Sequence, residues 1–332
     1  MGAVMEHSSL LRVSNLKKYF PIREGFLLHV KDSVRAVDDV SFDVGCGATL
    51  GLAGESGCGK TTVGRCILRL LEATSGEVAF GDSPNLLSLS PKQMKPYRKH
   101  LQMIFQNPFA SLNPRMTVGT TVAEPLKIFS LVSGSKARRD RVCELLEQVG
   151  LREEHMDQFP HQFSGGQRQR IAIARALSMQ PQLIICDEAV SALDVSIQAQ
   201  ILNLLKDLQQ RLGLSYLFIS HNLGVVQYMS DRVAIMYLGK IVEMAPRERI
   251  YANPQHPYTQ TLMAAIPVPD PTVRRNRQKA NDEVPSSFSH PSGCRFHPRC
   301  PKAMPICSEQ EPPLLEQGDT QVACHLYTRP MV

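Results

Sequence analysis

The run Gly54-Glu55-Ser56-Gly57-Cys58-Gly59-Lys60-Thr61 sets glycines, a lysine and a hydroxyl at a spacing suited to phosphate chemistry. Its glycines let successive backbone N–H groups turn inward around the α and β phosphates of ATP, Lys60 reaches the outer phosphates, and the Thr61 hydroxyl can ligate Mg²⁺. Asp187 and Glu188 close the apolar run Leu183-Ile184-Ile185-Cys186, and their uses differ. Asp187 can hold Mg²⁺ through water, whereas Glu188 can orient and deprotonate an attacking water. In Ser164-Gly165-Gly166-Gln167-Arg168, Ser164 is placed to cap a helix through Ile171, Ala174 and Leu177, and the glycine pair exposes N–H donors at an end that attracts anions. Arg168 and Arg170 lie early in that helix, where the macrodipole disfavours positive charge; a nearby phosphate is expected to relieve the conflict.

These groups need a frame, and three uniformly apolar runs supply it: Thr49 to Ala53, Leu183 to Cys186 and Leu214 to Ile219. Such runs suit parallel strands covered on both faces. Each is followed at once by polar residues: the phosphate loop, Asp187-Glu188 and Ser220-His221. Ligands of open α/β sheets bind beyond the carboxyl ends of strands, which predicts that the three loops meet. Thr62 to Leu71 continues the first loop with helical periodicity, while Leu11 to Val13, Val37 to Val44 and Gly76 to Phe80 read as strands of a β-rich layer. From Asn107 to Met179 the pattern turns helical, with helices expected over Ala137 to Val149 and Ser164 to Leu177. Val233 to Met244 reads as a hairpin turning at Leu238-Gly239-Lys240. Beyond Pro246 the chain is rich in proline and loops, and the Arg274-Arg275-Asn276-Arg277 cluster reads as a solvated linker.

A chain of 332 residues can bury a full α/β core and carry a smaller appendage. The net charge of +6, from 37 basic and 31 acidic residues, suits a phosphate ligand or an anionic surface without implying nucleic acid. No apolar run approaches the ~18 to 20 residues that span a bilayer, and Met1 to Leu10 lacks the regions of a signal peptide, so a soluble, cytoplasmic chain is expected. Nine cysteines divide into five scattered through the body and a terminal group, Cys294, Cys300, Cys307 and Cys324, which in the cytosol reads as metal-binding rather than disulfide-forming.

Over residues 10 to 245 the chain resembles the ATP-binding subunits of ABC transporters. The resemblance rests on an ordered set: an aromatic near Tyr19, the loop Gly54 to Thr61, Gln106 within Phe105-Gln106-Asn107-Pro108, Ser164-Gly165-Gly166-Gln167, Asp187-Glu188, Ser191-Ala192-Leu193-Asp194, and His221. It implies a P-loop α/β core with a mostly parallel sheet, a β-rich layer and an inserted helical subdomain over about 107–180. It also implies a head-to-tail dimer in which ATP and Mg²⁺ lie between the phosphate loop of one subunit and the Ser164 helix of the other. Gly54, Ser56, Gly57, Cys58, Gly59, Lys60, Thr61 and Thr62 would hold phosphate, and Thr61, Gln106 and Asp187 would serve Mg²⁺. Tyr19, with Phe20 as competitor, would stack on adenine, and Ser164, Gly165, Gly166, Gln167 and Asp194 would complete the nucleotide site. Glu188, His221 and Lys60 would carry catalysis, with His221 on the γ-phosphate and Gln106 also coupling to the membrane partner. Ala189 stands where the family usually has proline, which is expected to alter kinetics slightly and leave hydrolysis intact; Phe163 for leucine and Asn222 for aspartate are smaller departures.

The segment 246–332, with Asn253 to Gln260, Ala264 to Pro267, Gly293 to Pro301, Cys307 and Val322 to His325, is similar to the C-terminal extension of dipeptide and oligopeptide importer ATPases, as is the long segment Pro21 to Arg35. Importers of nickel and oligosaccharides share parts of this pattern and remain alternatives, as does a soluble ABC ATPase acting on nucleic acid. The resemblance implies two transmembrane permease subunits, a second ATP-binding subunit (a similar chain or an identical one), an extracytoplasmic peptide-binding protein, and a place at the cytoplasmic face of the membrane. It further implies a four-iron four-sulfur cluster on Cys294, Cys300, Cys307 and Cys324, with zinc as the alternative occupant.

Overall fold

The computed structural model describes residues 9–24, 29–107, 111–266 and 290–328. The Arg274 to Arg277 cluster, Pro108, Pro267 and part of the Pro21 to Arg35 segment lie outside the described residues. Among those described, eleven strands run in chain order: β1 Ser9–Glu24, β2 His29–Gly45, β3 Thr49–Ala53, β4 Ser75–Phe80, β5 Leu101–Ile104, β6 Leu183–Asp187, β7 Ser215–Ser220, β8 Arg232–Tyr237, β9 Lys240–Pro246, β10 Leu315–Gln317 and β11 Thr320–Val322. The described chain divides into two compact units, one of residues 45–48 and 89–219, the other of 9–44, 49–88 and 220–328.

In the first unit β6 lies between β5 and β7, parallel to both, with Leu101 opposite Leu183 and Asp187 opposite Ile219. Every residue of β6 and β7 is buried, as expected of continuous apolar strands covered on two faces. The helices Val118–Ile128, Ser135–Gln148, Gly165–Leu177 and Val195–Leu212 belong to this unit. Gly213, at φ 67°, ends the last of these in the left-handed conformation that glycine tolerates best.

In the second unit β3 runs parallel to β8, and β8 turns back antiparallel into β9 through Leu238 and Gly239. Both turn residues have positive φ (42° and 88°), the twist that two-residue hairpin loops require, and the hairpin falls where the sequence places it. β11 pairs antiparallel with β9, and β10 with β11, so the C-terminal extension adds strands to the sheet. The β-rich layer is the three-stranded sheet β2-β1-β4, in which β1 and β4 run antiparallel. Its strands are longer than the apolar alternation indicates, because polar residues such as Lys17 and Lys18 are accommodated once the backbone is paired.

The helix after the phosphate loop, Lys60–Ile67, stops four residues short of the expected Leu71. Arg69 adopts φ 53°, its N–H donates to the Cys66 carbonyl, and the Leu70 N–H donates to the Arg65 carbonyl. That pair of bonds is a Schellman closure, which satisfies the terminal carbonyls and turns the chain out of the helix.

Candidate functional site

The phosphate loop leaves the buried strand β3 and enters helix Lys60–Ile67 at Gly59. Gly54 has φ 151°, and a Cβ there would meet the Met236 carbonyl oxygen at 2.1 Å; at Gly59, with φ 107°, it would meet the Ala36 carbonyl oxygen at 2.0 Å. Only glycine fits either place. Lys60 is buried, and its Nζ donates to the carbonyls of Gly54 and Glu55, both at 2.8 Å. The lysine thereby bridges the mouth of its own loop. Cys58 is buried beneath it, and burial pushes its thiol pKa up. Ser56 and Gly57 are exposed, while Thr61 and Thr62 are half-buried at the helix start.

Tyr19 is half-buried, and its hydroxyl donates to Asp38 Oδ1 at 2.5 Å. Burial first, then this bond, pushes the phenol up to about 12. The Arg35 guanidinium lies 5.7 Å from the Tyr19 ring centroid, and the rival Phe20 is exposed beside the Lys18 ammonium. His221 is exposed directly after β7.

In the other unit Asp187 ends β6 almost fully buried, while Glu188 turns out at φ 48°, a strained conformation for a non-glycine residue. The Glu188 N–H donates to the Ile219 carbonyl at 2.9 Å, and Ser191 Oγ donates to the Glu188 carbonyl at 3.0 Å. Gln106 Nε2 donates to Glu188 Oε2 at 2.7 Å, so two residues chosen separately from the sequence meet. Ala189, in the position usual for proline, is buried.

Ser164 caps helix Gly165–Leu177: its Oγ accepts from the Gln167 N–H at 3.3 Å, and Gln167 Oε1 accepts from the Ser164 N–H at 3.0 Å. This reciprocal box holds both side chains at the helix mouth. A Cβ on Gly166 would come within 2.3 Å of Ile197 Cγ2, and on Gly165 within 3.2 Å of Leu193 Cδ2, so this glycine pair also permits close packing. Asp194 caps the next helix, accepting from the Ile197 N–H at 3.0 Å, a bond that holds its carboxyl below the usual range. Arg168 and Arg170, expected from the sequence to lie near a phosphate, also find partners within the fold. Arg168 donates to the carbonyls of Pro160 and His161, and Arg170 to that of Val149, so backbone oxygens already answer these charges.

The four terminal cysteines gather in the second unit. Cys294, Cys307, Cys324 and Cys300 influence one another electrostatically. Each sulfur accepts a backbone N–H: from Phe296 to Cys294, Lys302 to Cys300, Leu326 to Cys324, and Met304 to Cys307 at 3.5 Å. Burial pushes the Cys294 thiol up to about 11 and raises those of Cys300 and Cys324. Among the described residues no group of three His, Cys, Asp or Glu side chains is arranged to hold a metal ion.

Sequence reasoning missed the braces of the phosphate loop. Glu55, inside the loop, is gripped by Arg299 through two bonds of 2.9 and 3.0 Å, and its N–H donates to the Tyr258 hydroxyl at 3.0 Å. Arg295 donates to Asp38 and to the Leu238 carbonyl. Both arginines stand between Cys294 and Cys300; their opposite charge to Glu55 and Asp38 was the available signal, and separations of 244 and 257 residues hid it.

Two family profiles match the chain: "ABC transporter" over residues 37–191, and "Oligopeptide/dipeptide transporter, C-terminal region" over 242–307. The "Probable peptide ABC transporter ATP-binding protein y4tS" of Sinorhizobium fredii is 49% identical over 319 residues, covering 96% of this chain and 90% of that protein. "Oligopeptide transport ATP-binding protein AppF" of Bacillus subtilis is 49% identical over 324 residues, covering 96% and 98%. Among solved structures, the dimeric post-hydrolysis state of the ATP-binding cassette MJ0796 bound to ADP and Pi superposes with a TM-score of 0.63 at 28% identity, covering 71% of this chain and 98% of that one. Loop, capped helix, paired carboxylates and near end-to-end similarity agree, and the chain belongs to the ATP-binding subunits of ABC transporters, in the group bearing the oligopeptide/dipeptide C-terminal region.

Proposed function

We propose that this chain hydrolyses ATP to drive uptake of dipeptides or oligopeptides through separate permease subunits, working peripherally at the cytoplasmic face of the membrane. The observation that carries the ATPase reading is the Gln106 amide resting on the Glu188 carboxylate at 2.7 Å, directly after the buried Asp187. A carboxylate displayed at a strand end, with a neutral amide that can release it, suits a general base for water. Glu188 takes the proton of the attacking water, and His221 orients the γ-phosphate. Lys60 and the amides from Gly54 to Thr62 hold phosphate, Thr61 and Asp187 offer hard oxygens that suit Mg²⁺, and Tyr19 faces adenine. Ser164, Gly165, Gly166, Gln167 and Asp194 close on the nucleotide of a second ATP-binding subunit, most simply a similar chain in a heterodimer, with a homodimer the alternative. The ATPase module spans 10–245, with its helical subdomain near 107–180, and the extension spans 246–332. Peptide as cargo, delivered by an extracytoplasmic binding protein, rests on the matched C-terminal region and on the names of the relatives.

For the cysteine group the reading is a four-iron four-sulfur cluster, which would stabilise the extension. Four mutually near sulfurs, each given a backbone N–H, suit anionic ligands of a cluster. Zinc on the same four cysteines is the alternative occupant.

The test is peptide uptake into vesicles by the purified complex. Glu188→Gln should abolish both phosphate release and uptake while ATP still binds. Undiminished uptake after neutralising both Lys60 and Glu188 would overturn the reading. Protein prepared without oxygen should yield about four irons and four sulfides per chain; zinc in their place would refute the cluster.

A further inference from the structure

The phosphate loop of this chain contains an acid. Glu55 sits between Gly54 and Ser56, in a segment whose task is to receive a triphosphate, and a bare carboxylate there repels that ligand. The structure supplies the answer from the far end of the chain. Arg299 closes a two-pronged bond on Glu55, Nη2 to Oε1 at 2.9 Å and Nη1 to Oε2 at 3.0 Å. This planar fork is the geometry in which an arginine binds a carboxylate most strongly. The arginine side chain is only 8% exposed, the glutamate 26%. The guanidinium carbon lies 5.8 Å from the Tyr237 ring centroid and 5.9 Å from that of Phe296, and Nη1 reaches the Tyr237 hydroxyl at 3.4 Å. Tyr258 receives the Glu55 N–H, so both ends of the residue are held.

A second brace runs beside the first. Arg295 donates to the Leu238 carbonyl and to Asp38. The adjacent Gly239 N–H donates to the Cys58 carbonyl at 2.9 Å, and Gly239 accepts from the Asp38 N–H at 2.9 Å. Asp38 also accepts the Tyr19 hydroxyl. The six-residue span from Cys294 to Arg299 therefore touches the phosphate loop directly and, through the hairpin turn, a second time.

We propose that Arg299 is a positioning residue for ATP: by neutralising and holding Glu55, it keeps the phosphate loop receptive to triphosphate, which makes the C-terminal extension a working part of the nucleotide site. The inference rests on the reading of Gly54 to Thr61 as the phosphate cradle. It assigns the extension a task separate from any group its cysteines hold.

Equilibrium titration of the full-length protein with a fluorescent ATP analogue tests it. Arg299→Ala should weaken binding about tenfold, the scale of losing a charge-assisted pair beside the ligand. Glu55→Gln alone should bind at least as tightly as wild type, since it removes the repelling charge and leaves the positive charge of Arg299 beside the loop. In Arg299→Ala/Glu55→Gln most of the lost affinity should return, a recovery that a purely structural arginine would not show. In the assembled complex, Arg299→Ala should raise KM for ATP while kcat at saturation stays within about twofold. Binding by Arg299→Ala within twofold of wild type, or a double variant as weak as that single one, would overturn the proposal. If Arg299→Ala fails to fold, Arg299→Gln, alone and combined with Glu55→Gln, decides by the same comparison. Lys60→Ala separates the two levels. Should it bind like wild type, the cradle itself is misread; should it lose nucleotide while Arg299→Ala does not, the arginine's role alone fails.

Discussion

The two sets of functional groups are held in opposite ways. The phosphate loop is tied down from afar: Glu55 to Arg299 and Tyr258, Cys58 to Gly239, and Gly54 and Gly59 against the carbonyls of Met236 and Ala36. The Ser164 and Asp194 side chains are held by local bonds, each to backbone about three residues away, and both lie exposed. A long-range scaffold suits groups that must be pre-shaped around a ligand before it arrives. Local caps suit groups displayed on a surface for a partner to complete. The contrast teaches that one half of this nucleotide chemistry is built into the tertiary fold and the other into helix ends.

Glu188 gives the largest effect with which to test that contrast. Glu188→Gln should lower phosphate release by the assembled complex about 10²- to 10⁴-fold while leaving ATP binding intact; parallel loss of binding would show that the carboxylate shapes the cradle instead. Glycine replacements sharpen the point. Gly54→Ala should cost about 3 kcal/mol in chemical denaturation, since backbone stands in the way of its Cβ, whereas Gly57→Ala, with φ 79° and nothing within 4 Å, should cost about 1 kcal/mol. Equal costs would mean that the loop is as loosely held as the helix mouth.

Acid should loosen the braced half through His256, which is buried beside Tyr258 and donates its backbone N–H to Glu243 Oε2. Burial lowers its pKa from 6.5 to about 4. The unfolded chain therefore takes up the proton first: this contribution is full above about pH 6.5 and declines as the pH falls toward 4. Between pH 7 and pH 5 the loss should be about 2 kcal/mol, absent from His256→Gln, as read by urea denaturation at each pH. Least of all, Ser164→Ala should cost about 1 kcal/mol of stability, the usual worth of a helix cap. A much larger loss would mean that long-range ties hold this end too.

What the sequence disclosed and what it hid follow the same division. Loops that carry their chemistry in consecutive residues were legible: Gly54 to Thr61, the Ser164 cap, the Leu238-Gly239 turn and the buried strands on either side. The Schellman stop at Arg69 escaped, because no glycine marks it and an arginine takes the left-handed place. The backbone partners of Arg168 and Arg170 escaped because the carbonyls of Pro160, His161 and Val149 come near only once the chain folds. Arg299 was visible as a charge, but nothing in its spacing points to Glu55.

The seating of β11 along β9, with Gln321 opposite Met244 and Val322 opposite Glu243, bears on how this polypeptide can be shortened. A version ending near residue 246 would uncover a raw sheet edge, a row of unanswered amide and carbonyl groups inviting strands from neighbouring molecules. Trimming the tail to simplify the enzyme should therefore yield clumping before it yields a smaller motor.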